Sequence, residues 1–369
     1  MKKMLSTVLG VALTVSLVAG CSAKAPETTA APPAETKAEQ TEAKAEETEA
    51  AKEASQGEGK TYDKPELVLR YAEVNSGTDE RALASEEFAQ IIKEKTGGRI
   101  EIQVFPSAQL GDNKEVFQNM QIGAIDMSNL VPVQFVDYGI NVPYLKVLGI
   151  PFLFRDEEHA INVMNGDFGN KVIEDINGSG GKVVVLDFFV AGSRSFFTKK
   201  PVNTLADFKG LKIRVQQDEV YMDMIKSFGG SPTPIAMSEL YSALQTGVVD
   251  GAENPIKGYF NNKFYEVAPH YIYSNHMIEP SSITISEATW NKLTDEERQL
   301  FIETAKTVTE DFQKAVDEKK SGQIEELKKA GVEFHELEDY DEWVAAAAPL
   351  AEKYGAGFED VIKQIKDVK

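Results

Sequence analysis

Cysteine is almost absent from this 369-residue chain. Cys21 is the only one, so no disulfide can form within the chain and the folded part must stand on its core. Histidine is scarce too. His159, His270, His276 and His335 are scattered without the spacing that metal ligands use, so neither a metal centre nor a catalytic histidine is expected. Basic residues are the minority charge, with 39 Lys and Arg against 59 Asp and Glu, a formal net charge of −20. Such a surface disfavours nucleic acid and anionic membranes as partners, and an anionic ligand must be held by local cations. The sequence has no phosphate-cradling glycine loop and no nucleophile elbow, and no cofactor is expected. Large apolar side chains are missing altogether between Ser22 and Lys60. That stretch cannot bury enough surface to offset its ordering entropy.

What stands in front of it is of another kind. Lys2 and Lys3 precede a mostly apolar run from Leu5 to Val18, and Val18-Ala19-Gly20 leads into Cys21. The charge order and short apolar core read as a secretory signal, too brief for a membrane span. Small residues before a cysteine resemble the bacterial lipobox, which implies a signal peptide over 1–20 and a lipid-modified Cys21 opening the mature protein. An ordinary signal with an incidental cysteine is the plain alternative. Residues 21–60 then form an acidic tether, spanning roughly 35 Å as a coil. The expected location is extracytoplasmic, at the outer face of the plasma membrane or in a periplasm, with the lipid as the sole membrane contact.

From Thr61 onward the pattern is that of an α/β protein large enough for two domains. Leu67–Val74 and Arg99–Phe105 read as strands. A helix between them spans Asp79 to Thr96, with Leu83, Phe88, Ile91 and Ile92 on one face. A second helix carries Val116, Phe117, Met120 and Ile122, and Ile125–Met127 reads as a short buried strand. Lys182–Val190 is a strand leading into a loop at Ala191-Gly192-Ser193-Arg194. Leu211–Val215 is the next strand. Ser238 is placed as the N-cap of a helix over 239–246, and Val267–Ile285 is β-rich with interruptions at Pro269 and Pro280. Thr294 with Glu297 forms a capping box ahead of a helix that measures about 50 Å if it runs to Lys329. That is long enough to bridge two lobes.

Several strings in this part resemble one family. Ser107-Ala108-Gln109-Leu110-Gly111-Asp112, Gly123-Ala124-Ile125-Asp126, Pro151-Phe152-Leu153-Phe154, Gly210 to Val215, and Gln245 to Pro255 are similar to the substrate-binding proteins of tripartite ATP-independent periplasmic (TRAP) transporters. The resemblance covers about 66–335. It implies a two-lobed clamshell of mixed sheets, with the long C-terminal helix bridging the lobes. One lobe would be 61–191 with 280–320, and the other 192–279 with 321–369. A small organic acid is held between the lobes and passed to the permease subunits in the membrane, and a monomer is the simplest state. Arg214 takes the position of the arginine that clamps the ligand carboxylate, and Arg194 that of a second recurrent arginine. Asn254 matches an asparagine bonding the same ligand end, and Met237 a wall position. The glutamate that sialic-acid binders carry is not found near Asn129-Leu130-Val131.

The residues support that chemistry in their own right. A guanidinium ending an apolar strand meets both oxygens of a carboxylate, which lysine cannot do. Each residue also has a plainer reading. Arg214 can close a strand at the surface, Arg194 can solvate a hinge, and Asn254 can serve a turn before Pro255. Glu73 and Asn75 end the first strand on the crevice side, and Gln216 follows Arg214. These are the candidates for hydroxyl contacts. With Arg81 read as pointing away, the first lobe lacks a second cation. This favours a hydroxyl-rich monocarboxylate such as a uronate or aldonate over a C4-dicarboxylate. A sensor lipoprotein that presents its ligand to a receptor is the alternative in another class, and an enzyme is not expected.

Overall fold

In the computed structural model, which describes residues 61–369, the alternating runs become nine strands of one mixed sheet. They are β1 (Leu67–Ala72), β2 (Ile100–Phe105), β3 (Met127–Leu130), β4 (Val183–Thr198), β5 (Lys212–Val215), β6 (Ser231–Pro234), β7 (Gly251–Pro255), β8 (His270–Ser286) and β9 (Glu333–Glu336). Twelve helices cover it. The first six are α1 (Glu80–Lys95), α2 (Asn113–Gln121), α3 (Glu157–Asn165), α4 (Asp167–Asn177), α5 (Leu205–Phe208) and α6 (Glu219–Ser227). The others are α7 (Leu240–Thr246), α8 (Ile256–Asn261), α9 (Glu287–Trp290), α10 (Asp295–Lys329), α11 (Tyr340–Gly355) and α12 (Glu359–Asp367).

The strand order is β2-β1-β3-β8-β4-β7-β5-β6, with β9 attached to β8. β1 runs parallel to β2 and β3, and β5 runs parallel to β6 and β7. Between these two parallel groups lie β4 and β8, antiparallel to each other and far longer than an ordinary strand of five or six residues. One end of β8 pairs with β3 and the other with β9, while the far end of β4 pairs with β7. The same two strands therefore serve both halves of the sheet. Their register slips between Val190 and Ser193, where Gly192 takes φ +113°. Only glycine adopts that backbone without strain, and the slip re-aims the side chains around it.

Burial explains why these runs persist. β4 and β8 are buried along almost their whole length, so neither shows the apolar–polar alternation of a half-exposed strand; β4 begins as a nearly continuous apolar run, and β8 buries many polar side chains. One cluster packs Leu69, Tyr71, Phe88 and Ile92 against Phe301, Val308 and Phe312 of α10. Another packs Phe197, Leu244 and Tyr259 against Leu327, near the other end of α10. α10 is 35 residues long, opens with the Thr294–Glu297 capping box, and joins the two clusters, as its sequence predicts. In α11, Trp343 is fully buried against Phe208 and Phe228 at ring separations of 5.0 and 4.9 Å.

Several expectations need correction. Leu83 and Ile122 are 45% and 75% exposed, outside the apolar faces assigned to them. The third strand lies at Met127–Leu130, slightly later than read. β4 does not end in a loop at Ala191. It continues through Arg194 to Thr198, because β7 and β8 flank it there. Pro280 does not interrupt β8, since it sits opposite Val190 at the register slip, where a missing amide hydrogen is tolerated. Ser238 caps nothing; it lies within a 3-10 turn, Met237–Glu239, ahead of α7. The signal segment, Cys21 and the tether lie outside the described residues.

Candidate ligand-binding cleft

β5 carries Arg214 next to its end, β7 carries Asn254, and the α1 and α2 ends face them across a cleft of about 800 Å³, its mouth included. Five basic side chains line the cleft against three acidic ones, reversing the sign of the protein as a whole. Of the residues singled out from sequence, Arg214, Arg194, Asn254, Asn75, Gln216 and Met237 all lie in its wall. Glu73 does not. Its carboxylate is buried beneath the wall, accepting from the Asn75 amide N–H at 2.9 Å, Asn75 Nδ2 at 2.8 Å and Asn129 Nδ2 at 2.8 Å. A carboxylate holding three donors positions Asn75 and leaves little to offer a ligand.

The two arginines differ sharply. Arg194, buried in β4, gives Nη2 to Glu253 Oε1 at 2.9 Å, places its Nε on the same carboxylate, and has Nη1 3.1 Å from Glu279 Oε2. Burial alone would depress its pKa, but the two carboxylates outweigh burial and hold it above the ordinary arginine value. Arg214 is 3% exposed, and among the described residues the only hydrogen bond of its side chain is from Nε to the Ile235 carbonyl at 2.8 Å. No carboxylate lies within ion-pair range of its fork among the described residues. Burial, with the Arg194 charge acting in the same direction and Glu253 opposing, pulls its pKa down to about 10. An unpaired buried guanidinium is a strong site for an anion.

Glu279, in the middle of β8, organises the rest. It accepts from Gln216 Nε2 at 2.9 Å, is bonded by the Tyr221 hydroxyl, and lies 3.5 Å from Arg81 Nη2, which donates to Ser281 Oγ at 2.7 Å. Arg81 therefore faces the cleft wall rather than pointing away, yet its charge is already met by Glu279. Lys257 of α8 lies 3.3 Å from Asp79, the α1 cap, whose carboxylate it holds below the usual range against the opposing effect of burial. Gln134 donates to Gln216 at 2.8 Å across the cleft.

Sequence reasoning missed Glu279, Arg81 and two further residues. Among the described residues, Lys114, at the start of α2, has no ion-pair partner, and Asn113 keeps a buried Oδ1 with no donor. A glutamate just before a proline within a β-rich stretch was the one signal that could have pointed to Glu279. The Ser107-Ala108 turn also belongs here. Both residues adopt left-handed backbone, held by amides donating to the Asn75 and Glu73 carbonyls, and Ala108 reaches the cleft wall. Gly258 has a specific reason to be glycine: a Cβ there would lie 2.3 Å from Asn254 Oδ1.

A sheet whose two longest strands serve both sides of a cation-lined cleft is the architecture of a two-lobed solute receptor. The family model for bacterial extracellular solute-binding protein, family 7 (DctP), matches residues 71–356, and the chain belongs to that family, the solute receptors of TRAP transporters. Among solved structures, it resembles a TRAP periplasmic solute-binding protein from Pseudomonas putida with bound D-glucuronate. The identity is 35%, the TM-score 0.78, and the match covers 82% of this chain and 98% of that one. A second, from Xanthobacter autotrophicus with bound β-D-galacturonate, is 31% identical at a TM-score of 0.77, covering 82% of this chain and all of the other (100%). The 2,3-diketo-L-gulonate-binding periplasmic protein YiaO of Escherichia coli is 32% identical over 266 residues, 72% of this chain and 80% of the relative. Among the described residues no helix is long and apolar enough to cross a membrane.

Proposed function

We propose that the cleft takes a hydroxyl-rich monocarboxylate, a uronate or aldonate, and that the protein delivers it to the membrane permease subunits of a TRAP transporter. The observation that carries this reading is the buried, unpaired fork of Arg214 beside two arginines already neutralised by Glu253 and Glu279. One carboxylate completes Arg214. The rest of the wall offers hydroxyl partners: the free acceptor of Asn113, and the amides of Asn75, Asn254 and Gln216. The uronates bound in the two structural neighbours have this chemistry. A dicarboxylate is the second reading because Lys114 is a further cation at the cleft with no ion-pair partner among the described residues.

The lobes 61–191 with 280–320 and 192–279 with 321–369 then close by flexure of β4 and β8 near Gly192. Cross-cleft bonds such as Gln134–Gln216 hold the closed form. The lipid on Cys21 keeps the receptor, a monomer, at the membrane, and the cleft binds without catalysis. Mass spectrometry of the mature N-terminal peptide tests the anchor, which an unmodified Cys21 overturns.

A thermal-shift screen tests the ligand class, with uronates, aldonates, C4-dicarboxylates, sialic acid and neutral sugars. At a hundred times its dissociation constant a ligand adds about 2.7 kcal/mol. The reading stands if sugar acids shift the transition and Arg214→Ala abolishes the shift. It falls if neutral sugars shift it and Arg214→Ala changes nothing.

A further inference from the structure

Away from the cleft, two of the four scattered histidines meet. His270 opens β8 and pairs in register with Glu333 of β9, and His335 lies two residues further along the same face of β9. His270 Nδ1 is 3.1 Å from His335 Nε2 and 3.6 Å from Glu333 Oε2, and the three atoms lie within 4.8 Å of one another. His335 Nδ1 is 3.0 Å from Asn203 Oδ1. An amide oxygen only accepts, so Nδ1 carries the hydrogen and Nε2 presents its lone pair towards His270. This is the outer partner that orients a metal-bound imidazole.

We propose that His270, Glu333 and His335 form a binding site for a divalent first-row transition cation of the zinc type. A tetrahedral ion with bonds of about 2.0–2.1 Å needs donors about 3.3 Å apart; the two spacings from His270 lie within a few tenths of an ångström of that, and the exposed Glu333 side chain is free to bring its carboxylate to the same distance from His335. Two imidazoles and one carboxylate suit zinc, nickel or copper, whereas magnesium and calcium prefer all-oxygen sets. Glu333 is largely exposed, so the site opens to solvent and its fourth position is available to water. None of the three residues lines the solute cleft, and the inference does not depend on the ligand read there. The ion would staple β9, the return from α10, to β8. Through Asn203 it would also hold the segment before α5, already joined to β9's far end by Glu338 N–H donating to the Asn203 carbonyl at 2.9 Å.

The test is zinc chloride titrated by calorimetry into the full chain, stripped with chelator and free of solute, alongside thermal unfolding with and without zinc. The expected result is one zinc bound with a raised melting temperature. That binding should weaken at least a hundredfold in His270→Gln and in His335→Gln, and about tenfold in Asn203→Ala. Excess magnesium should not compete. Each variant's metal-free melting temperature shows whether it is folded, and Glu333→Gln, which alters only an exposed side chain, should also weaken zinc binding. Absence of zinc uptake by the wild-type chain, or uptake unchanged in the folded histidine variants, overturns the proposal. In that event the 3.1 Å contact is a simple hydrogen bond between imidazoles.

Discussion

Replacing Arg194 and Arg214 separately with methionine should have opposite consequences, although the two residues are neighbours in one cleft and equally buried. Removing the Arg194 guanidinium leaves the buried Glu253 without its arginine and leaves Glu279 with Arg81 as its remaining arginine. Breaking a buried pair from one side costs about 3–5 kcal/mol. Removing Arg214 deletes one bond to the Ile235 carbonyl, about 1 kcal/mol, and relieves a buried unpaired charge, so the net change should stay within about 1 kcal/mol. Affinity for an acidic ligand should behave the other way round. Losing a desolvated two-pronged pair is a matter of about 2–5 kcal/mol, roughly a thirtyfold to several-thousandfold weakening. Arg214→Lys keeps the charge but loses one prong, about tenfold to a hundredfold. Urea unfolding with linear extrapolation gives the stabilities, and calorimetry with the acid found in the screen gives the affinities. The reasoning is refuted if Arg214→Met unfolds as readily as Arg194→Met, or if Arg214→Lys binds as well as the wild type.

Three further predictions concern single positions. Gly258→Ala should weaken ligand binding about tenfold by pushing Asn254 Oδ1 aside, while leaving folding stability equal or raised, since alanine is the better helix residue; unchanged affinity refutes the steric argument. Trp343→Ala should cost about 3–5 kcal/mol, seen as a fall in the urea midpoint, because it empties the site between Phe208 and Phe228. Burial raises the Asp218 carboxyl to about 6, with Lys146 opposing and Asp137 adding to the rise. Between the ordinary carboxylate range and pH 6 the folded state therefore binds more protons there than the unfolded chain, and this group's contribution to stability grows as pH falls. The stability of the wild type relative to Asp218→Asn should increase from pH 7 to pH 5. A decrease over that range contradicts the assignment.

Much of the architecture was legible because it is local. Capping residues, apolar spacing and glycine stops located α1 and the start of α10 to within a residue or two, and the strand leading to Arg214 was equally plain. Failures occurred where tertiary neighbours override local rules. Ala191-Gly192-Ser193 reads as a loop and Pro280 as a break, yet each lies in a strand because the other completes its bulge across the pair. In the cleft, Glu73 is a strand-end carboxylate by sequence, but the fold brings Asn129 to it and turns it into a support for Asn75. His270 and His335 seem unrelated until the parallel pairing of β8 and β9 joins them.

The residue pattern alone was enough to establish an α/β protein, and the family resemblance of its strings implied a small-anion ligand, since a guanidinium at a strand end can by itself also close that strand at the surface. Which arginine is available to that anion was decided only by the tertiary structure. Whether a buried charge is satisfied depends on partners brought from far along the chain, and Arg194 finds Glu253 and Glu279 through the register of β4 with β7 and β8, whereas Arg214, two strands away on β5, finds no carboxylate among the described residues.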